Sequence, residues 1–500
     1  MMRLIKTKVM PMIICITMLM ATLPMSISAQ ATISSDTYEH IQTQLRRARI
    51  SNSAIAIIQD GEASYILKDA EQDTLFQIGS ISKSFTGFGV LLLEDMGLLC
   101  VTDPISRHLP WFEVRYRGVP VVHDSLTIYT FLQHTSGFTS DERRFPTSLT
   151  ETDELITQVA EAELAFYPST AHVYGNINYI ILGLLIEAVS GQSYDEFMTE
   201  HVLHPLGLYN TFTNMQRAHE TGRVIGGNRL RFLQPVSWNP PISHLTVPTG
   251  FIYSDLPDMM RWAEIHLGVV DVPEQFERVV RRSHENNHDA IDPFADRDFF
   301  YAAGWYVNYE RGTVHHNGST SGYSSALRML PDENTAVVVL GNLSHGAVAF
   351  GAHILDIVTY GEPSGNVQIN MFMLFDIVFG VLTVMGIVYA GLFVRFFVKL
   401  AKRLHSEAFI KGKFVPKQLL GLIEPICSLA AFYFVPSIVF STSRAFYLEY
   451  APASIHVAEV AMWVMAVYSL VGFLSKVFVH PRDEVTDSAT VETDSIYAHS

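Results

Sequence analysis

Residues 53–70, "SAIAIIQDGEASYILKDA", show an apolar alternation broken at Asp60-Gly61, which predicts two strands joined by a tight hairpin. From Ser80 onward the period changes. Phe85, Phe88, Leu91, Leu92 and Met96 fall on one helical face, with a stop at Gly97. Helices and loops are expected from there to about residue 270, as in "YIILGLLIEAVSGQSYDEFMTEHVLHPLG". Strand patterns return in "AAGWYVNYERGTVHHNG" and "YSSALRMLPDENTAVVVLGN", with a turn at Pro331-Asp332-Glu333-Asn334 and a last helix over 345–359. Strands from both ends of this region around a helical middle predict one antiparallel sheet flanked by helices, an α/β fold.

The pattern shifts again after residue 370. Three apolar stretches, 371–394, 419–440 and 455–478, are each long enough to cross about 30 Å of hydrocarbon. Between the first two, residues 395–418 carry Arg395, Lys399, Lys402, Arg403, Lys411, Lys413 and Lys417 against Glu407; residues 441–454 carry only Arg444 and Glu449. Basic loops stay in the cytoplasm, so residues 32–370 and 441–454 are expected outside and the acidic tail 479–500 inside. The N-terminus agrees. Arg3, Lys6 and Lys8 precede the apolar run Val9–Leu23 and the small-x-small site Ala29-Gln30-Ala31, the pattern of a signal peptide over 1–31. Residues 361–370, beginning "GEPSGN", read as a linker from the 32–360 domain to the membrane. Asp376, Glu424 and Glu459 lie in or near the spans, where carboxyls facing headgroups or neighbouring helices are expected.

Charge and cysteine content narrow the function. A net charge of −16 without a basic patch argues against nucleic acid as a partner. Of three cysteines, Cys15 belongs to the signal and Cys427 to a span, which leaves Cys100 alone in the exported part. Without an internal disulfide, that domain must be held by its core.

Three motifs carry candidate chemistry. Ser80-Ile81-Ser82-Lys83 puts a hydroxyl at a predicted helix start with a lysine one turn later on the same face. A serine is activated by such a lysine when burial helps remove the lysine's proton. On its own the pattern is weak, since on the order of one S-x-x-K arises by chance in this length. Tyr174-Gly175-Asn176 offers a phenol to relay a proton and an amide to hold a carbonyl. His316-Asn317-Gly318, on a predicted strand, is followed by Ser319, Thr320 and Gly322, with the glycines leaving room for a substrate backbone. Alternation points His315 the other way.

In this order and spacing the three motifs resemble the serine β-lactamase and penicillin-binding-protein superfamily, in the branch of class C β-lactamases, D-aminopeptidases and related esterases. "LTIYTFLQHTSGF" and "VPTGFIYSDLPDMMRWAEIHLG" are similar to blocks of that branch, and the resemblance covers roughly residues 40–360. It implies an acyl-enzyme on Ser80, with Lys83 and Tyr174 as base and then acid, Asn176 orienting the acyl-side amide, and the Ser80 and Ser319 amides as oxyanion hole. It implies no metal and no cofactor. The expected location is a bacterial cytoplasmic membrane, the catalytic domain facing the periplasm or exterior. The expected partners are a small peptide-like substrate and the lipid bilayer, and the bundle offers a route to homo-oligomers.

One departure is His316, where β-lactamases carry lysine: a histidine lacks the fixed charge that attracts a substrate carboxylate. This fits a peptidase or esterase better than an efficient β-lactamase. The three-span anchor is shared by prodrug-activating peptidases that remove an N-acyl-D-asparagine cap and by envelope hydrolases, but Asn176, Thr246 and Thr320 differ from the residues with which the former grip D-asparagine. A non-catalytic β-lactam sensor would need a signalling domain, for which the cytoplasmic segments leave little room.

Two further readings are structural. His134 in "HTSG" is expected to pack a loop. His284-Glu285-Asn286-Asn287-His288 matches a zinc-peptidase motif literally, but that motif needs a helix, and here a solvent-exposed loop is expected.

Overall fold

The computed structural model describes residues 33–59, 61–139, 151–285, 299–361, 371–404 and 451–481, with scattered positions between 409 and 450. The signal segment, linker residues 362–370, His288, Glu424, most of the 419–440 stretch and the tail from residue 482 lie outside the described residues.

After an N-terminal helix, α1 (Ser35–Arg47), strands β1 (Ser53–Gln59) and β2 (Glu62–Lys68) form the hairpin. The central helices are α2 (Ser82–Asp95), α3 (Asn176–Ser190) and α4 (Leu256–Leu267), with a small hairpin of β3 (Asn228–Arg231) and β4 (Gln234–Ser237) between the last two. Then come β5 (Phe299–Tyr301), β6 (Tyr306–Asn308), β7 (Thr313–Ser319), β8 (Ser324–Leu330), β9 (Thr335–Gly341) and α5 (Val348–Tyr360). The seven main strands form one sheet in the order β5-β6-β7-β8-β9-β1-β2, antiparallel throughout. The first strand thus lies inside the sheet, Ser53 opposite Gly341.

Helices cover both faces, so β1 is buried from Ser53 to Ile58. Ile55 and Ile57 pack with Ile41, Leu45, Phe350 and Ile354 of α1 and α5. Ala54, Ala56 and Ile58 face the larger cluster, where Trp262 stacks on Phe85 with ring centroids 4.2 Å apart. Helix α2 runs through that core, buried continuously from Ser82 to Leu93, and holds Lys83 in its first turn, just after the Ser80 turn.

Among the described residues, two helices near the C-terminus are long and apolar enough to cross a membrane: α6 (Met371–Leu404) and α7 (Ser454–Phe478). Helix α6 runs past the apolar stretch into Arg395–Arg403, because lysine and arginine are good helix formers whose stems can lie along an apolar surface.

Candidate active site

The α-helix expected to start at Ser80 starts two residues later. Ser80 lies in a 3-10 turn, Gly79–Ile81, and α2 begins at Ser82. Ser82, not Ser80, supplies the local polar contacts: its hydroxyl donates to the Gly79 carbonyl (2.8 Å) and accepts from the Ile252 amide (3.2 Å). The turn is tucked against β7. Gly79 has φ +54°, and a Cβ there would come within 2.3 Å of the Ser319 amide nitrogen. Across the same seam, the space above Gly318 is taken by this chain's own Ile78 carbonyl, 2.0 Å from where a Cβ would stand.

Lys83 is fully buried beneath the half-buried Ser80. Its Nζ lies 3.2 Å from Ser80 Oγ, 2.8 Å from Asn176 Oδ1 and 2.7 Å from the Thr249 carbonyl. As an ammonium, Lys83 donates in all three directions. A neutral amine keeps two N–H groups and one lone pair, so one contact must reverse. The Thr249 carbonyl and Asn176 Oδ1 accept only. Of these three partners the Ser80 hydroxyl is the one that can donate back, which lets a neutral Lys83 turn its lone pair to that hydroxyl.

Tyr174 places its ring face 4.9 Å from Lys83 Nζ. Asn176 opens α3, which explains how residues some ninety positions from Lys83 reach it. His316 lies on the same side of the site: its Nδ1 donates to the Asn317 carbonyl (2.6 Å), which leaves Nε2 to accept from the Tyr301 hydroxyl at 3.1 Å. Burial, then the nearby Lys83 charge, pull its pKa down to about 3, so the ring is neutral at pH 7. His315 takes a separate environment, stacked on Tyr306 and edge-on to Phe299. Thr320 is buried and closes the turn after β7, its hydroxyl accepting from the Tyr323 amide at 3.1 Å.

His134 does more than pack a loop. Its ring centroid is 4.3 Å from that of Tyr174 and 4.6 Å from that of Tyr301. Its Nδ1 accepts from Asn178 Nδ2 (3.0 Å), whose Oδ1 accepts from Ser136 Oγ (2.5 Å). Burial holds its pKa well below the ordinary histidine range, so it supports Tyr174 as a neutral ring. Thr249 is a second residue the motifs did not indicate. His284 of the zinc-like motif caps the C-terminus of helix Glu274–Ser283 and bonds His266 (3.0 Å). Among the described residues no cluster of three metal-ligating side chains occurs.

Comparison with known proteins agrees with this architecture. The beta-lactamase family matches residues 38–358. The chain is 29% identical over 331 residues to Protein flp of Staphylococcus aureus (strain MW2), covering 62% of this chain and 64% of that protein, so it spans somewhat under two-thirds of that relative. To Penicillin-binding protein 4 of Amycolatopsis lactamdurans it is 27% identical over 321 residues, 60% of this chain and 82% of the relative. A solved class C beta-lactamase superposes with a TM-score of 0.53 at 18% identity, covering 62% of this chain and 91% of that one, a likeness of fold. With the match spanning well over half of its length and the antiparallel sheet behind it, the chain belongs to the beta-lactamase family.

Proposed function

We propose that the protein is a membrane-anchored serine hydrolase whose catalytic domain faces outward from a bacterial cytoplasmic membrane and which cleaves amide bonds in D-amino-acid-containing peptides. The observation that carries this is the Lys83 contact set, which joins its Nζ to Ser80 Oγ, Asn176 Oδ1 and the Thr249 carbonyl. In the first half-reaction Lys83 takes the Ser80 proton as Oγ bonds the substrate carbonyl carbon. The carbonyl oxygen becomes an anion held by the Ser80 and Ser319 amides. The proton passes through Tyr174 to the leaving nitrogen, the C–N bond breaks, and an ester on Ser80 remains. Water then repeats the sequence and releases the acid. Asn176 serves twice, holding Lys83 and presenting its amide N–H to the acyl chain.

A neutral His316 favours, within this class, substrates without a free carboxylate at that subsite, such as an N-acyl-D-amino-acyl amide. Helices α6 and α7 support the anchor.

The test is a mass-spectrometric cleavage assay on detergent-purified full-length protein, with an acyl-D-Ala-D-Ala peptide, an N-acyl-D-asparaginyl amide and a Ser80→Ala control. Cleavage of either that vanishes in a folded Ser80→Ala variant is expected. Equal turnover by that variant would sink the proposal.

A further inference from the structure

Helix α6 touches the candidate site through two routes. In the first, Phe372 stacks on His345, ring centroids 4.0 Å apart, and the His345 amide donates to Ser319 Oγ at 3.2 Å. His345 has φ +57°, a left-handed conformation that a side chain adopts at a cost and that its neighbours must hold in place. Ser319 is the last residue of β7, where the seam to Gly79 is tightest.

The second route begins at Asp376. Expected to face headgroups or neighbouring helices, it is buried, accepting from the Ser454 hydroxyl of the neighbouring α7 and also from the backbone amides of Phe232 (3.0 Å) and Leu233 at the tip of the β3–β4 hairpin. Phe232 lies over Gly380 of α6, and the Ala453 amide donates to the Leu230 carbonyl at 2.6 Å. At its other end this hairpin staples the active-site edge. The Asn228 amide donates to the Gly322 carbonyl (2.9 Å), and the Asn228 carbonyl accepts from Ser344 (3.1 Å), beside His345. One end of the hairpin is therefore fixed to α6 and the other to both loops that flank Ser319.

We propose that α6 is part of the active-site frame, with Phe372 and Asp376 acting as positioning residues that hold Ser319 in register with the Ser80 turn. This rests on the reading that the Ser319 amide serves the oxyanion. An enzyme built this way works fully only with its membrane helix docked, which confines its chemistry to the bilayer surface. Its substrates are then peptides or acyl-peptides that reach that surface.

The experiment uses the full-length chain in lipid nanodiscs and a fluorophosphonate probe. Ser80 Oγ bonds phosphorus, fluoride leaves, the serine proton goes to Lys83, and the phosphoryl oxygen occupies the oxyanion position. The limiting labelling rate and the half-saturating concentration are measured separately, with Ser80→Ala as blank. Losing one oxyanion donor costs about 10²–10³-fold. A loosened donor is expected to lower the limiting rate about tenfold in Phe372→Ala and Asp376→Ala, with half-saturation within about twofold of wild type. Phe372→Trp, which keeps the stack, should retain the rate. Phe372→Leu, which keeps apolar volume but not the ring, carries the test where Phe372→Ala does not fold. Wild-type limiting rates in the folded Phe372 and Asp376 variants, or an equal loss in Phe372→Trp, would overturn the inference while Ser80 labelling stands. Absence of Ser80-dependent labelling in the wild type would remove the underlying reading and this inference together.

Discussion

Replacing Gly79 by alanine tests the seam between the Ser80 turn and β7. The added Cβ would lie 2.3 Å from Ser319 N, 2.6 Å from Gly318 C and 2.7 Å from Gly318 Cα, all backbone atoms of a strand paired to β8. Ordinary contact begins near 3.4 Å, so the turn and the strand must part by about 1 Å. The left-handed φ of +54° adds about 1–2 kcal/mol of its own for a residue with a Cβ. Overpacking adds about 1–3 kcal/mol. Together the variant should lose about 2–5 kcal/mol of stability, and a misplacement of about 1 Å between Ser80 and Ser319 should slow acylation on the order of 10²-fold. Gly61→Ala is the control, since Gly61 has φ +80° but nothing within 4 Å of its Cβ position. It should show the strain alone, with no change in rate. Chemical denaturation and the labelling rate at Ser80 read the two effects. A Gly79→Ala protein no less stable than Gly61→Ala, or one that acylates at the wild-type rate, would refute the packing argument.

Lys83→Arg keeps a cation but no base, because a guanidinium does not give up its proton; the acylation rate should fall about 10²–10⁴-fold, seen by rapid-quench labelling. His134→Ala leaves the Asn178 amide without its ring partner and Tyr174 without its support. It should lower kcat more than KM and cost about 1–3 kcal/mol by thermal melting. Buried His134, His266, His315 and His316 all have pKa values pushed below 6.5, His316 to about 3, chiefly by desolvation. The unfolded chain therefore binds protons that the folded one refuses, and stability is full above about pH 6.5 and falls as pH drops below it, by about 1.4 kcal/mol per unit for each such group. Asp255, raised to about 7 by burial, and Asp258 and Glu264, also raised by burial, have the opposite slope, but with His284 and His345, both lowered to about 4, six histidines stand against these three carboxyls. Melting temperatures across pH 7.5 to 5 should decline, and a flat profile would contradict it.

Local spacing made the serine-lysine pair legible, since i and i+3 on a helix meet whatever surrounds them, and here they lie 3.2 Å apart. The hairpin at residues 53–68 and the turn at 331–334 were legible for the same reason. The Thr249 carbonyl was not, because any residue has a carbonyl and only the fold selects which one reaches Lys83. His134 was read as packing because a lone histidine in a loop carries no spacing signal. Its place against Tyr174 arises from tertiary contact across some forty residues. Asp376 in an apolar run signalled something unusual, but besides Ser454 of α7 its partners are backbone amides of a hairpin over 140 positions earlier, which no side-chain pattern encodes.

The position of β1 between β2 and β9 also bears on when this protein becomes an enzyme. Residues 53–59 find their second neighbour only in residues 335–341, so the sheet cannot close until nearly all of the hydrolase region has been synthesised. Such distant pairings fold slowly, and the apolar side chains of Ile55 and Ile57 stay uncovered meanwhile. The first membrane-length helix begins only thirty residues after Gly341, so sheet closure and the arrival of that helix come close together in the life of the chain. Chains that end before β9 therefore lack the closed sheet that holds the Ser80 turn against β7.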